Sequence, residues 1–339
     1  MSSRLERLRV RTNGYTVTPA QYVRITYVAL AALTIIVLTG AAVRLTGSGL
    51  GCPTWPKCYG NVYPPLNTHA VIEFSNRLIT VPVSIAAGLA WLGALRRRPY
   101  RRELMWLGAL LPLGVIGQAV LGGFTVKGAL DYGWVMGHFA LSMLILFAAV
   151  VLVWRASHEP QAAGATLTAD PDRGLARMLL GLVGLGALTI FAGTAATAAG
   201  PHAGGSPGQK INRLSFDGRG TMDFVIHRHA EIALVFSLAA VAVWWLARRR
   251  DAPESVRRPL TALCWLLALQ GAVGLDQYET HLPTELVWVH VLLACTAWLS
   301  VLWAACAAGA IRRPVAAHAA QRRAESARRA VAPIEFPGN

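Results

Sequence analysis

The sequence predicts an all-α integral membrane protein: eight transmembrane helices arranged as two pseudo-symmetric four-helix bundles. Three observations predict it. Of the 339 residues, 54% are hydrophobic and only 14% charged, whereas a soluble domain has about 25% charged residues. Apolar runs recur along the chain, each long enough to cross a bilayer, which takes about 20 residues at a rise of ~1.5 Å. The second half of the chain also repeats landmarks of the first.

The runs read as spans over 22–43, 70–95, 104–122, 133–154, 177–198, 224–246, 259–276 and 285–309. The opening Met1-Ser2-Ser3-Arg4-Leu5-Glu6-Arg7 precedes a full-length span, so it reads as a basic tail and not as a cleavable leader. The first span stops at Arg44 and the second at Arg96-Arg97-Arg98-Pro99-Tyr100-Arg101-Arg102. Arg155, Arg173 and Arg177 follow the fourth span, and Arg248, Arg249, Arg250, Arg257 and Arg258 follow the sixth. Gly- and Pro-rich stretches, Gly47-Ser48-Gly49-Leu50-Gly51-Cys52-Pro53 and Gly200-Pro201-His202-Ala203-Gly204-Gly205, form turns in loops at the opposite ends. These loops are long enough to fold over the helix ends.

The net charge of +15 does not indicate a nucleic-acid partner, because the basic residues sit in short clusters between apolar runs. Arg4, Arg7, Arg9 and Arg11 lie before the first span, and Arg312, Arg313, Arg322, Arg323, Arg328 and Arg329 after the last. This asymmetry places both termini in the cytoplasm of a multi-pass protein of the cell membrane. The chain then divides into a four-helix unit over 1–154, a cytoplasmic linker over 155–176, a second four-helix unit over 177–309 and a basic cytoplasmic tail over 310–339.

The two units overlay on four anchors. Gln118 precedes His138 by the same interval as Gln270 precedes His290, and Gly40 matches Gly193. Asn76-Arg77 falls on His227-Arg228 in this register. The repeat is parallel, since each unit starts from the same side of the membrane.

Ionisable and metal-ligating residues inside a membrane are costly and usually functional. Asn76, His138, His227 and His290 each lie a few residues past the outer start of their span, at one shared depth. Two imidazoles on facing helices are how a bundle holds a haem iron, which makes His227 and His290 a candidate ligand pair and His138 a candidate ligand in the first unit. The plain alternative for each is a hydrogen bond to a backbone carbonyl. Arg77 and Arg228 could reach haem propionates or serve as interfacial anchors. His229, two residues from His227, is expected to face away from the site, and Glu231 to share the His227 face. Glu73, one turn before Asn76, could pass protons or simply be solvated. Cys52 and Cys58, in an outer and oxidising loop, are expected to form a disulfide.

These features together resemble the haem A synthase family: eight spans in a duplicated unit, the Cys52…Cys58 pair, Glu73-x-x-x-Arg77, Gly200-Pro201-His202-Ala203-Gly204, His227-Arg228 and His290. The resemblance covers about 22–309. It implies an oxidoreductase that converts haem O to haem A for terminal oxidases, oxidising a porphyrin methyl to a formyl group with water as oxygen source. It also implies a resident haem b on His227 and His290, a substrate haem near Glu73, Asn76, Arg77 and His138, and Glu73 as the catalytic group. Where the family has Glu-x-x-His, this chain reads Glu73-Phe74-Ser75-Asn76, and Asn is a poor iron ligand. The implied partners are haem O, the haem O synthase that supplies it, membrane lipid and an unidentified electron acceptor; self-association into a homo-oligomer is left open. The competing reading is a b-type cytochrome that transfers electrons without modifying haem.

Overall fold

A computed structural model describes residues 14–159, 172–206, 208–216 and 220–311. Within them are eight helices long and apolar enough to cross a membrane: α1 (Pro19–Leu45), α2 (Thr68–Arg96), α3 (Arg102–Lys127), α4 (Tyr132–Ser157), α5 (Arg173–Ala199), α6 (Thr221–Arg249), α7 (Glu254–Glu279) and α8 (Thr284–Ala307). No β-strand occurs among the described residues, which make only two isolated bridges. The terminal arginines up to Arg11 and from Arg312, Arg219, and most of the expected linker and tail lie outside the described residues.

Every expected span is a helix, and several run about a turn further at each end. The run 259–276 becomes Glu254–Glu279, and 104–122 becomes Arg102–Lys127. Hydropathy marks only the hydrocarbon-crossing part, whereas backbone hydrogen bonding continues through the charged residues that flank it. Side-chain caps set several starts. Thr18 and Gln21 form a reciprocal capping box on α1, and Asn67 accepts from the Ala70 amide at the start of α2. Asp172 caps α5 and accepts a hydrogen bond from Arg250 at 2.7 Å, which holds its carboxyl below the usual carboxylate range.

Helices α1 to α4 pack in a closed ring, each against two others of the set, and α5 to α8 do the same. The rings meet where α8 touches α1 and α4, and where α4 touches α5. The tightest packing lies toward the basic ends. On α4 the buried positions cluster between Met143 and Ala156, and on α8 between Leu293 and Cys306. The indole N–H of Trp298 donates to the Met143 carbonyl within this zone. The first halves of the same two central helices are only half-buried, and His138 and His290 lie there.

The basic cluster after α2 is partly structural. Arg97 is fully buried, donating to the Pro99 carbonyl and to Glu159. Arg101 and Arg155 both pair with Glu103. At the opposite end the long loops interlock. The Gly49 amide donates to the Gly204 carbonyl, and the Ser206 hydroxyl to the Gly47 carbonyl at 2.8 Å. Gly47 has φ +66°, and a Cβ there would sit 2.9 Å from the Gly205 carbonyl oxygen, so the crossing needs glycine.

Candidate functional site

Four helices bring one set of side chains together in the second ring. His229 on α6 faces His290 on α8, with ring centroids 6.2 Å apart and planes 73° from parallel. Glycines on the two remaining helices lie against the imidazoles: a Cβ would come within 3.1 Å of His229 Cε1 at Gly193 on α5, and within 3.3 Å of His290 Cε1 at Gly274 on α7. His229 Nδ1 is 3.1 Å from the Thr189 carbonyl, which fixes that ring. Gln270 donates to the His290 carbonyl at 3.1 Å. His290 Nδ1 is buried with no hydrogen-bond partner among the described residues.

The first ring holds the matching set. Gln118 donates to the His138 carbonyl at 3.0 Å and to the Ser142 hydroxyl at 2.8 Å. A Cβ at Gly122 would lie 3.6 Å from His138 Cε1, and His138 Nδ1 is likewise buried with no hydrogen-bond partner among the described residues. Asn76 occupies the place of His229: a Cβ at Gly40 would lie 4.0 Å from its Nδ2, and its Oδ1 accepts from the Thr39 hydroxyl at 2.7 Å.

The structure sets His229, and not the expected His227, opposite His290. His227 is exposed, its Nδ1 is 2.7 Å from the Asp223 carbonyl, and its ring meets Tyr278 edge-on at 6.3 Å. Successive helical residues turn by about 100°, so positions two apart face nearly opposite ways and only one of His227 and His229 can point inward. The inward one is His229, which the sequence reading had turned outward. The glycine landmarks carried the signal, because Gly40 precedes Asn76 by the same interval as Gly193 precedes His229. Asn76 therefore falls on His229 and not on His227.

The two arginines have different surroundings. Arg228 is exposed, pairs with Glu231 at 2.5 Å and lies over the Phe224 ring. Arg77 gathers the loop between α1 and α2: it donates to the carbonyls of Cys52 at 3.0 Å, Thr54 at 3.0 Å, and Pro56 and Lys57 at 3.3 Å, and it sits over the Trp55 ring. Glu73 is 6% exposed, pairs with Arg77 and accepts the Cys52 amide at 2.6 Å. Both sulfur-bearing residues of this loop are buried, and the Cα atoms of Cys52 and Cys58 are 4.7 Å apart, a separation a disulfide spans. Glu73 and Arg77 thus form a clamp that seats residues 52–58 on the start of α2.

Among the described residues no three His, Cys, Asp or Glu gather as a metal cluster. What is present suits a metal whose other positions come from a macrocycle. Two metal–imidazole bonds of ~2 Å plus the half-width of each ring make about 6 Å, which is the spacing of His229 and His290. The glycines keep the flanks of both rings free of side chains, as a flat group between helices requires.

One contact joins the two sets. The indole N–H of Trp288, two residues before His290, donates to the Leu38 carbonyl at 3.1 Å, and the next residue on α1, Thr39, holds Asn76. Sequence reasoning had singled out neither residue, since a lone Trp in an apolar span carries no distinguishing pattern.

Fold and site define a polytopic helical membrane protein with facing imidazoles between its helices. The chain belongs to the COX15-CtaA family, described as cytochrome oxidase assembly protein, whose sequence profile matches residues 23–302. It is 31% identical over 272 residues to the Heme A synthase of Shouchella clausii, a match covering 76% of this chain and 87% of that one. It is 38% identical over 126 residues to the Heme A synthase of Lysinibacillus sphaericus, where the match spans only 35% of this chain and 39% of the relative. A Protoheme IX farnesyltransferase of Thermus thermophilus is 27% identical over 290 residues, covering 81% of this chain but 46% of that protein.

Proposed function

We propose that this chain is a haem A synthase, an oxidoreductase of the cell membrane that turns a methyl group of haem O into a formyl group. The facing pair His229 and His290 carries the reading. These two would hold a resident haem b, whose iron would supply a one-electron acceptor beside the substrate. The substrate haem O would sit in the first ring, where His138 offers one imidazole and Asn76 a weaker amide. In this reading the chain comprises a substrate unit over 1–154 and a cofactor unit over 177–309, with both termini cytoplasmic.

The overall change is methyl plus water to formyl, releasing four electrons and four protons to an external acceptor. One strong protein ligand in place of two suits a ring that must leave after reaction. Glu73 and Arg77 hold the Cys52–Cys58 loop, read as a disulfide, over that site and restrict access from the outer side. The Thermus relative supports a supply step: it is named for farnesylating protohaem, the reaction that makes haem O, and its sequence includes a long stretch like this chain.

Expression with a haem O source tests the assignment. Extracted pigment should contain haem A only with the intact chain; bound haem b without haem A, despite supplied substrate, would instead identify an electron-transferring cytochrome. Gly193→Val is expected to lower haem b occupancy while leaving the helices intact, because the larger side chain meets the His229 ring. Overpacking of this kind costs about 1–3 kcal/mol, and the haem-to-protein ratio against helical circular dichroism checks it.

A further inference from the structure

At the basic end, where α6 turns into α7, lies a furrow of about 500 Å³ lined by Arg248, Glu254, Arg257, Arg258, Thr261 and Trp265. We infer that this furrow binds the phosphodiester headgroup of an anionic membrane phospholipid. The residues of α7 that line it recur at three- and four-residue intervals, so they form one continuous face of the helix. Its floor is fixed: the Trp244 indole donates to the Thr261 hydroxyl at 2.8 Å, and that hydroxyl donates to the Arg257 carbonyl at 2.9 Å.

Charge at the mouth is unbalanced. Arg258 pairs with Glu254 at 2.6 Å. Arg248 lies over the Trp244 ring with no carboxylate partner among the described residues, and Arg257 is half-buried with none among them either. Two guanidinium groups therefore face an opening with no carboxylate among the described residues to meet them, and guanidinium recognises phosphate oxygens in bidentate fashion.

Below the mouth the lining becomes apolar. Trp265 is 75% exposed, two turns beyond Arg257, or ~12 Å along the helix. Trp245, on the neighbouring helix, is exposed as well and carries Arg249 over its ring. Arginines at the headgroup level with tryptophans one to two turns deeper match a phospholipid whose phosphate sits at the mouth and whose glycerol and acyl chains follow the tryptophan face. A headgroup that carries its own amine would bring a cation to a furrow that already holds an excess of them. The fit is therefore to phosphatidylglycerol-like lipids and not to phosphatidylcholine.

Native mass spectrometry of the detergent-solubilised full chain, titrated separately with phosphatidylglycerol and phosphatidylcholine, tests this. Phosphatidylglycerol should be retained about tenfold more tightly, and each arginine replaced by glutamine should weaken it on the order of fivefold. The Arg248→Gln, Arg257→Gln double variant should lose the preference, while Arg98→Gln, in the basic cluster after α2, should keep it. Equal retention of the two lipids, or an unchanged preference in the double variant, would overturn the proposal. So would displacement of the lipid by equimolar inorganic phosphate, which would mark a site for free anions. None of these outcomes depends on haem chemistry.

Discussion

His290→Ala and His229→Ala are each expected to yield protein that purifies as intact helical membrane protein but without a b-type absorption spectrum, whereas His227→Ala retains it in full. Each inward imidazole is one of two protein ligands in the proposed cofactor site, and its removal leaves an iron coordinated from one side. His227 is exposed, hydrogen-bonds to the Asp223 carbonyl of its own helix and meets the Tyr278 ring. The three variants separate the two registers cleanly. Loss of haem in His227→Ala with retention in His229→Ala would restore the register that the sequence alone had suggested. The haem-to-protein ratio after purification is the measurement.

Glu73→Ala is expected to keep the haem b spectrum and to lose haem A formation, with turnover falling on the order of a hundredfold. The carboxylate is almost fully buried and does two things at once: it accepts the Cys52 amide and it pairs with Arg77. Its removal leaves a guanidinium without its counter-charge and a buried amide without an acceptor, a loss of about 3–5 kcal/mol. That loss falls on the loop over the first ring and not on the second ring's imidazoles. Adding Arg77→Ala should recover part of the lost thermal stability, since removing both members of a buried pair costs less than removing one. It should not recover turnover, because the loop then has neither anchor. Thermal unfolding and pigment analysis of the single and double variants check both halves of the expectation.

Much of the architecture was legible because a bilayer imposes it. Any stretch of some twenty apolar residues must satisfy its backbone internally, so the eight helices followed from composition alone. The polar residues His138 and His290 stood out for the same reason. The facing direction of a residue near a helix start is a different kind of information. His227 and His229 have identical chemistry and nearly equal depth, and only rotation about the α6 axis separates them. That rotation is set by where Gly193 admits a ring, a contact between the consecutive helices α5 and α6. The surroundings of Arg77 were hidden for a related cause. Arg77 is drawn to a cluster of loop carbonyls, and a backbone conformation rich in Gly and Pro cannot be read from residue types. The buried Arg97 was hidden in a basic run that looked wholly solvated, and its partner Glu159 comes from the far end of α4.

The indole of Trp288 rests on the Leu38 carbonyl, and the outer loops of the halves cross at Gly47 and Gly205. An ancestral duplication would have begun with two interchangeable copies, free to pair in either order. The indoles of Trp288 and Trp298 both donate from the later copy to backbone carbonyls of the earlier, at Leu38 and Met143, whereas the loop crossing is bonded in both directions, Gly49 to Gly204 and Ser206 to Gly47. The halves have consequently lost their equivalence, and a chain with the order of its copies reversed would have no seam on which to join.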